Sequence, residues 1–127
     1  MSADRLAPLI SRRILIVDDQ PSIRGVLEVA LTDAGADVWT ADDGDGALRA
    51  VEHAVPDLIL LDLVMPGMNG WEVIRALAQS ARTAAVPVIL QTSTEDFASF
   101  DRAKKQGVAA FISKPFQIGR ASCRERV

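Results

Sequence analysis

The chain has a single cysteine, Cys123, so it cannot close a disulfide on itself. That agrees with a reducing compartment. No apolar run comes near the ~20 residues that span a bilayer. The first residues, Met1-Ser2-Ala3-Asp4-Arg5, lack the apolar stretch of a secretory signal. A cytoplasmic protein is the expectation. There is also no basic stripe: 14 Lys and Arg stand against 17 Asp and Glu, for a net charge of -3. Neutralising nucleic-acid phosphates takes clustered Lys and Arg, so direct nucleic-acid binding by this segment is not expected. What the chain does have is apolar content, 49% of 127 residues. That is enough for one domain with its own core and too much for disorder.

The apolar residues fall into short runs that alternate with helical periods. Strands are expected at about 13–17, 38–41, 58–62, 88–92 and 109–113. After the first, Pro21 suits an opening helical turn. Ile23, Val26, Leu27, Ala30 and Leu31 then keep the spacing of one apolar helix face, and Gly35 suits the stop. A second helix is expected at about 45–53, with Ala47, Leu48 and Val51 inward. A third is expected at about 71–80, with Trp71, Ile74, Leu77 and Ala78 inward. A fourth is expected at about 96–106, with Phe97, Phe100 and Ala103 inward and Gly107 closing it. The first, third and fourth strands are almost wholly apolar, as strands covered on both faces are. The second is mixed and belongs at an edge. The pattern predicts an α/β, doubly wound, five-stranded parallel sheet.

In such a sheet the C-terminal strand ends form the ligand crevice. Four of the runs end in polar residues. Ile14-Leu15-Ile16-Val17 leads into Asp18-Asp19, and Leu58-Ile59-Leu60-Leu61 into Asp62. Val88-Ile89-Leu90-Gln91 leads into Thr92, and Ala110-Phe111-Ile112-Ser113 into Lys114. The fold would gather three acids, one hydroxyl and one lysine. Crowded carboxylates call for protons or a cation. Taken singly the residues say little: paired Asp before a helix is often an N-cap, Asp62 could serve a turn, Thr suits strands, and a lone Lys is usually solvated.

Together, in this order and spacing, with Met65-Pro66-Gly67 and Gly70 after Asp62 and Pro115-Phe116 after Lys114, they resemble the receiver (CheY-like) domain of two-component response regulators. The resemblance runs from about Arg13 to Phe116. It implies the flavodoxin-like strand order 2-1-3-4-5 and a phosphoacceptor, Asp62. It implies Mg²⁺ held by Asp18, Asp19, Asp62 and the backbone carbonyl of Val64, with Asp18 acting largely through a water. Thr92 and Lys114 would bind phosphoryl oxygens, Thr92 and Phe111 would form the switch, and Pro115 is a candidate cis-proline. The implied partner is a sensor histidine kinase or a phosphotransfer protein. The implied chemistry is limited to the domain's own phosphorylation and dephosphorylation, so an enzyme acting on other substrates is not expected. Val64, two after the acceptor, is apolar and would not orient an attacking water, so slow dephosphorylation is expected.

Two other readings compete. A pseudo-receiver would be an interaction domain that no longer switches, and the intact five-residue set argues against it. An aspartyl-nucleophile phosphatase would need a second Asp two after the nucleophile, where Val64 stands. Starting at Met1 with a short tail (residues 1–12) disfavours the C-terminal receiver of a hybrid kinase.

Receiver domains close on a fifth helix, but residues 118–127 carry no helical apolar period. They match the in-frame reading of a common sequencing adapter (ATC GGA AGA GCG TCG TGT AGG GAA AGA GTG). We read them as a foreign read-through segment, which is excluded from fold reasoning; a genuine basic tail is the alternative. The receiver domain proper would then be 13–117, its last helix truncated or replaced and its dimerisation in doubt, with any output domain lost beyond 117.

Overall fold

The structure, a computed structural model, describes residues 11–63, 65, 67–92, 101–102 and 104–113. For Thr92 and residues 111–113 the description is of the backbone alone. The elements alternate: β1 (Arg13–Val17), α1 (Pro21–Asp33), β2 (Asp37–Ala41), α2 (Gly44–His53), β3 (Leu58–Asp62), α3 (Gly70–Gln79), β4 (Val88–Thr92) and β5 (Ala110–Ser113). Asp101, Arg102, Lys104 and Lys105 are helical, ahead of Gly107. All strands pair in parallel, in the order β2-β1-β3-β4-β5. The predicted fold class and strand order are those observed, and the mixed strand β2 does lie at an edge. The expected end of the domain, with its truncated last helix and residues 118–127, lies outside the described residues.

Crossover handedness decides which face each helix covers. β1 to β2 steps one way across the sheet, while β2 to β3 and β3 to β4 step the other. Right-handed crossovers therefore put α1 on one face and α2 and α3 on the opposite face. Period-two alternation then splits the strand residues between two cores. Leu15, Val17, Ile59, Leu61, Val88 and Leu90 pack with Ala47 and Val51 of α2 and Val73, Ile74 and Leu77 of α3. Ile14, Ile16 and Leu60 form the other core, against Leu27 and Leu31 of α1.

Two helix faces differ from expectation, and that of the fourth helix, with Phe97, Phe100 and Ala103, lies outside the described residues. On α3 the buried set is Gly70, Val73, Ile74 and Leu77, whereas Trp71 is half-buried and Ala78 exposed. The stripe is rotated because the helix seats Gly70 directly on the backbone after β3. On α1 no residue is fully buried. Leu27 and Leu31, one turn apart, face the sheet, but Val26 is 64% exposed and Ala30 is exposed as well. Among the described residues α1 has no helix beside it, whereas α2 and α3 pack together, so the flanks of its apolar stripe are left in solvent.

The helix ends follow local chemistry. Proline opens α1 at a position where its missing N–H costs nothing. Gly35, at φ 99°, closes it. The N–H of Gly35 donates to Thr32 O and that of Ala36 to Leu31 O, the paired bonds of a Schellman motif. Asp43 caps α2 through Gly46 N–H, and Asn69 and Glu72 form a capping box on α3. Among the described residues no helix is long and apolar enough to cross a membrane.

The exposure contrast makes a prediction. Leu90 is fully buried and Val29 is 62% exposed. Leu90→Ala should cost about 2–5 kcal/mol in urea unfolding, while Val29→Ala should stay within about 0.5 kcal/mol of wild type.

Candidate functional site

The site is set by where two central strands stop. β1 and β3 run side by side with Val17 opposite Leu61, so Asp18 and Asp62, the next residues, emerge as neighbours. Both are almost fully buried, at 0% and 3% exposure, and Asp19 beside them is half-buried. One carboxylate oxygen from each lies within 4.8 Å of the others. At that spacing each pair of negative charges repels by about 3–4 kcal/mol at an effective dielectric near 20. The cluster is thus frustrated unless protons or a cation balance it.

Fixed donors shape Asp18. Its Oδ1 accepts from the Gln20 backbone N–H at 2.8 Å. Its Oδ2 accepts from the Gln91 side-chain amide at 3.3 Å, and its backbone carbonyl accepts from the Arg24 guanidinium at 2.6 Å. The N-cap of α1 is Gln20, without a side-chain cap, so the paired acids do not sit at the N-cap position.

The donor set tests what cation could fit. Among the described residues it consists of carboxylate oxygens, with no imidazole or thiolate, which suits a hard cation. Opposite ligands of octahedral Mg²⁺ lie about 4.1 Å apart. A 4.8 Å spread therefore accommodates two carboxylates directly and a third through water. Asp18, both of whose oxygens already accept hydrogen bonds, could be that third.

The loop behind Asp62 is held from below. The Gly70 N–H donates to Leu63 O at 2.9 Å. A Cβ at Gly70 would lie 2.8 Å from both the Asp62 carbonyl oxygen and Leu63 Cα. Met65 is buried, and the Asn69–Glu72 capping box fixes where α3 begins. Arg102, from the helical residues before Gly107, stacks 4.5 Å over the Trp71 ring and ties that segment to the first turn of α3.

Of the residues named from sequence, Asp18, Asp19 and Asp62 are brought together. Thr92 ends β4, with Ser113 as its register partner, and Phe111 lies opposite Leu90. The two switch positions are thus on adjacent strands, two register steps apart, and their side chains lie outside the description. Val64, Lys114 and Pro115 lie outside the described residues altogether. Sequence reading passed over Gln91, Gln20 and Arg24. For Gln91 a signal existed: an amide closing an otherwise apolar strand. For Gln20 there was none, because a bond from a main-chain N–H leaves no trace in residue type; Arg24 donates to a main-chain carbonyl, which any residue at position 18 would offer.

The comparisons agree with this geometry. A family model described as "Response regulator receiver domain" matches residues 14–122. The chain is 39% identical over 106 residues to the DNA-binding response regulator MtrA of Mycolicibacterium smegmatis, covering 84% of this chain and 45% of MtrA. It is 37% identical over 103 residues to Protein PilH of Pseudomonas aeruginosa, covering 81% and 85%. Among solved structures, the chemotaxis protein CheY4 of Vibrio cholerae superposes with a TM-score of 0.81 at 31% identity, over 92% of this chain and 98% of that one. The chain belongs to the response regulator receiver family of two-component signalling. It spans about half the length of MtrA.

Gly70 gives a prediction for the site. Alanine is the better helix former by about 1 kcal/mol, but here its methyl group meets main-chain atoms that cannot swing away. Overpacking, at about 1–3 kcal/mol, should win. Gly70→Ala should lower the midpoint of thermal unfolding; a midpoint equal to or above wild type contradicts the contact.

Proposed function

We propose that the chain is a phosphoacceptor module that takes a phosphoryl group from a partner's phosphohistidine onto Asp62, in the cytoplasm. The observation that carries this reading is the gathering of Asp18, Asp19 and Asp62 within 4.8 Å at the strand ends. A carboxylate oxygen of Asp62 would attack phosphorus, the P–N bond to the donor imidazole would break, and the imidazole would leave with a proton from solvent. The product is an acyl phosphate on Asp62. Such transfer asks for alignment and charge balance more than for a protein base. Mg²⁺, when bound, supplies part of that charge balance.

Asp19 and Asp62 would hold the metal directly, Asp18 through a water, and the Val64 carbonyl would add a ligand. Lys114 supplies a compact positive charge for a phosphoryl oxygen, and the Thr92 hydroxyl a hydrogen bond to another. The proposed readout is the Thr92–Phe111 pair, which would convert a local charge change into a change of surface along the helix before β5 and β5 itself. Phe111 has no hydroxyl, so only the position of its ring could signal. We propose no turnover of external substrates.

Incubation with acetyl phosphate and excess Mg²⁺, followed by intact-mass measurement, should add one phosphoryl group to wild type and none to Asp62→Asn. A wild type that gains nothing, or an Asp62→Asn variant that gains as much, contradicts the reading. Beryllofluoride with Mg²⁺ should bind wild type as well; a folded protein that ignores it is the non-switching interaction domain instead. After excess acetyl phosphate is removed, the mass gain should persist well beyond seconds, because Val64 cannot orient an attacking water. Decay within seconds counts against that role.

A further inference from the structure

We infer that Gln91 is a positioning residue for the cation site: its side-chain amide reaches across β3 and holds the Asp18 carboxylate in place. This inference rests on the proposed function, since it assigns Gln91 a part in building that same site.

The geometry is unusual for a core residue. β4 does not adjoin β1; β3 lies between them. Gln91 is the register partner of Asp62, and neighbouring parallel strands are about 4.8 Å apart. Gln91 therefore spans a full intervening strand to place Nε2 3.3 Å from Asp18 Oδ2. It does so from a position that is 1% exposed. Strand alternation explains the aim. Ile16, Leu60 and Ile89 belong to the α1-side core, so the residues two further on, Asp18, Asp62 and Gln91, point to that same side. These three form one row along the C-terminal edge of β1, β3 and β4.

An amide buried in an apolar strand is costly unless its hydrogen bonds are made. Leucine or valine would serve packing alone at this position. The use Gln91 finds is a carboxylate that must keep one orientation. With the Gln20 N–H on Oδ1 and the Gln91 amide on Oδ2, the plane of the Asp18 carboxylate is fixed from both sides. The carboxylate is thereby held beside Asp19 and Asp62, within the 4.8 Å spread of the cluster. A ligand that acts through a bridging water depends on such orientation, because it has no metal bond of its own to align it.

The test is Gln91→Met, which keeps length and volume and removes the donor. Mg²⁺ binding is measured by calorimetry on wild type and variant, with thermal unfolding in metal-free buffer as the check on folding. The variant should bind Mg²⁺ about twofold to tenfold more weakly, the span expected for one hydrogen bond. Saturating Mg²⁺ should then return its rate of mass gain from acetyl phosphate to the wild-type rate. Unchanged Mg²⁺ affinity in the variant, with wild type binding normally, overturns the positioning role and leaves the proposed function standing. So does a loss of rate that saturating Mg²⁺ cannot restore, which marks damage to packing. A wild type that binds no Mg²⁺ overturns both.

Discussion

Three negative charges held within a few ångströms are the constraint around which this molecule is arranged. Asp18 and Asp62 are buried because β1 and β3 are central strands that end at the same level. The sheet order places those two strands together, and residues from distant parts of the chain share one pocket as a result. Hydrophobic burial on both faces of the sheet must carry that repulsion. Fully buried Leu15, Ile16, Val17, Leu61 and Leu90 lie directly beneath the cluster. A site that is frustrated unless a cation balances it would respond strongly when the local charge changes.

Around the acids, hydrogen bonds from neighbouring residues do much of the fixing. Gln20 N–H and Gln91 hold the two oxygens of Asp18, and Arg24 holds its carbonyl. Behind Asp62, α3 comes so close that only glycine fits at its first residue, and a capping box sets where the helix begins. The same helix carries Trp71, under Arg102, so the first turn of α3 and the segment before β5 share a contact.

Much of this was legible in the sequence. The five apolar runs and the helical periods between them predict the strands and the first three helices to within a residue or two, because strand burial on both faces leaves a continuous apolar signature. The Asp18-Asp19 and Asp62 acids were legible because each follows such a run. Helix faces were less so. Val73 and Trp71 are both apolar, and only the close seating of Gly70 decides which one turns inward. Val26 and Ala30 fit the α1 stripe by spacing, yet burial also needs a neighbour on that side. Gln91 was visible as an amide in an apolar strand, but its partner, 73 residues away and two strands over, depends on strand order and register together.

The central claim, that the three carboxylates are crowded enough to need a cation, has a direct test in thermal unfolding with and without Mg²⁺. Wild type should gain stability as Mg²⁺ rises, following ligand linkage. Asp19→Asn should be more stable than wild type without metal and should lose most of the Mg²⁺ response. A wild type indifferent to Mg²⁺, with Asp19→Asn no more stable than its parent, would contradict the account.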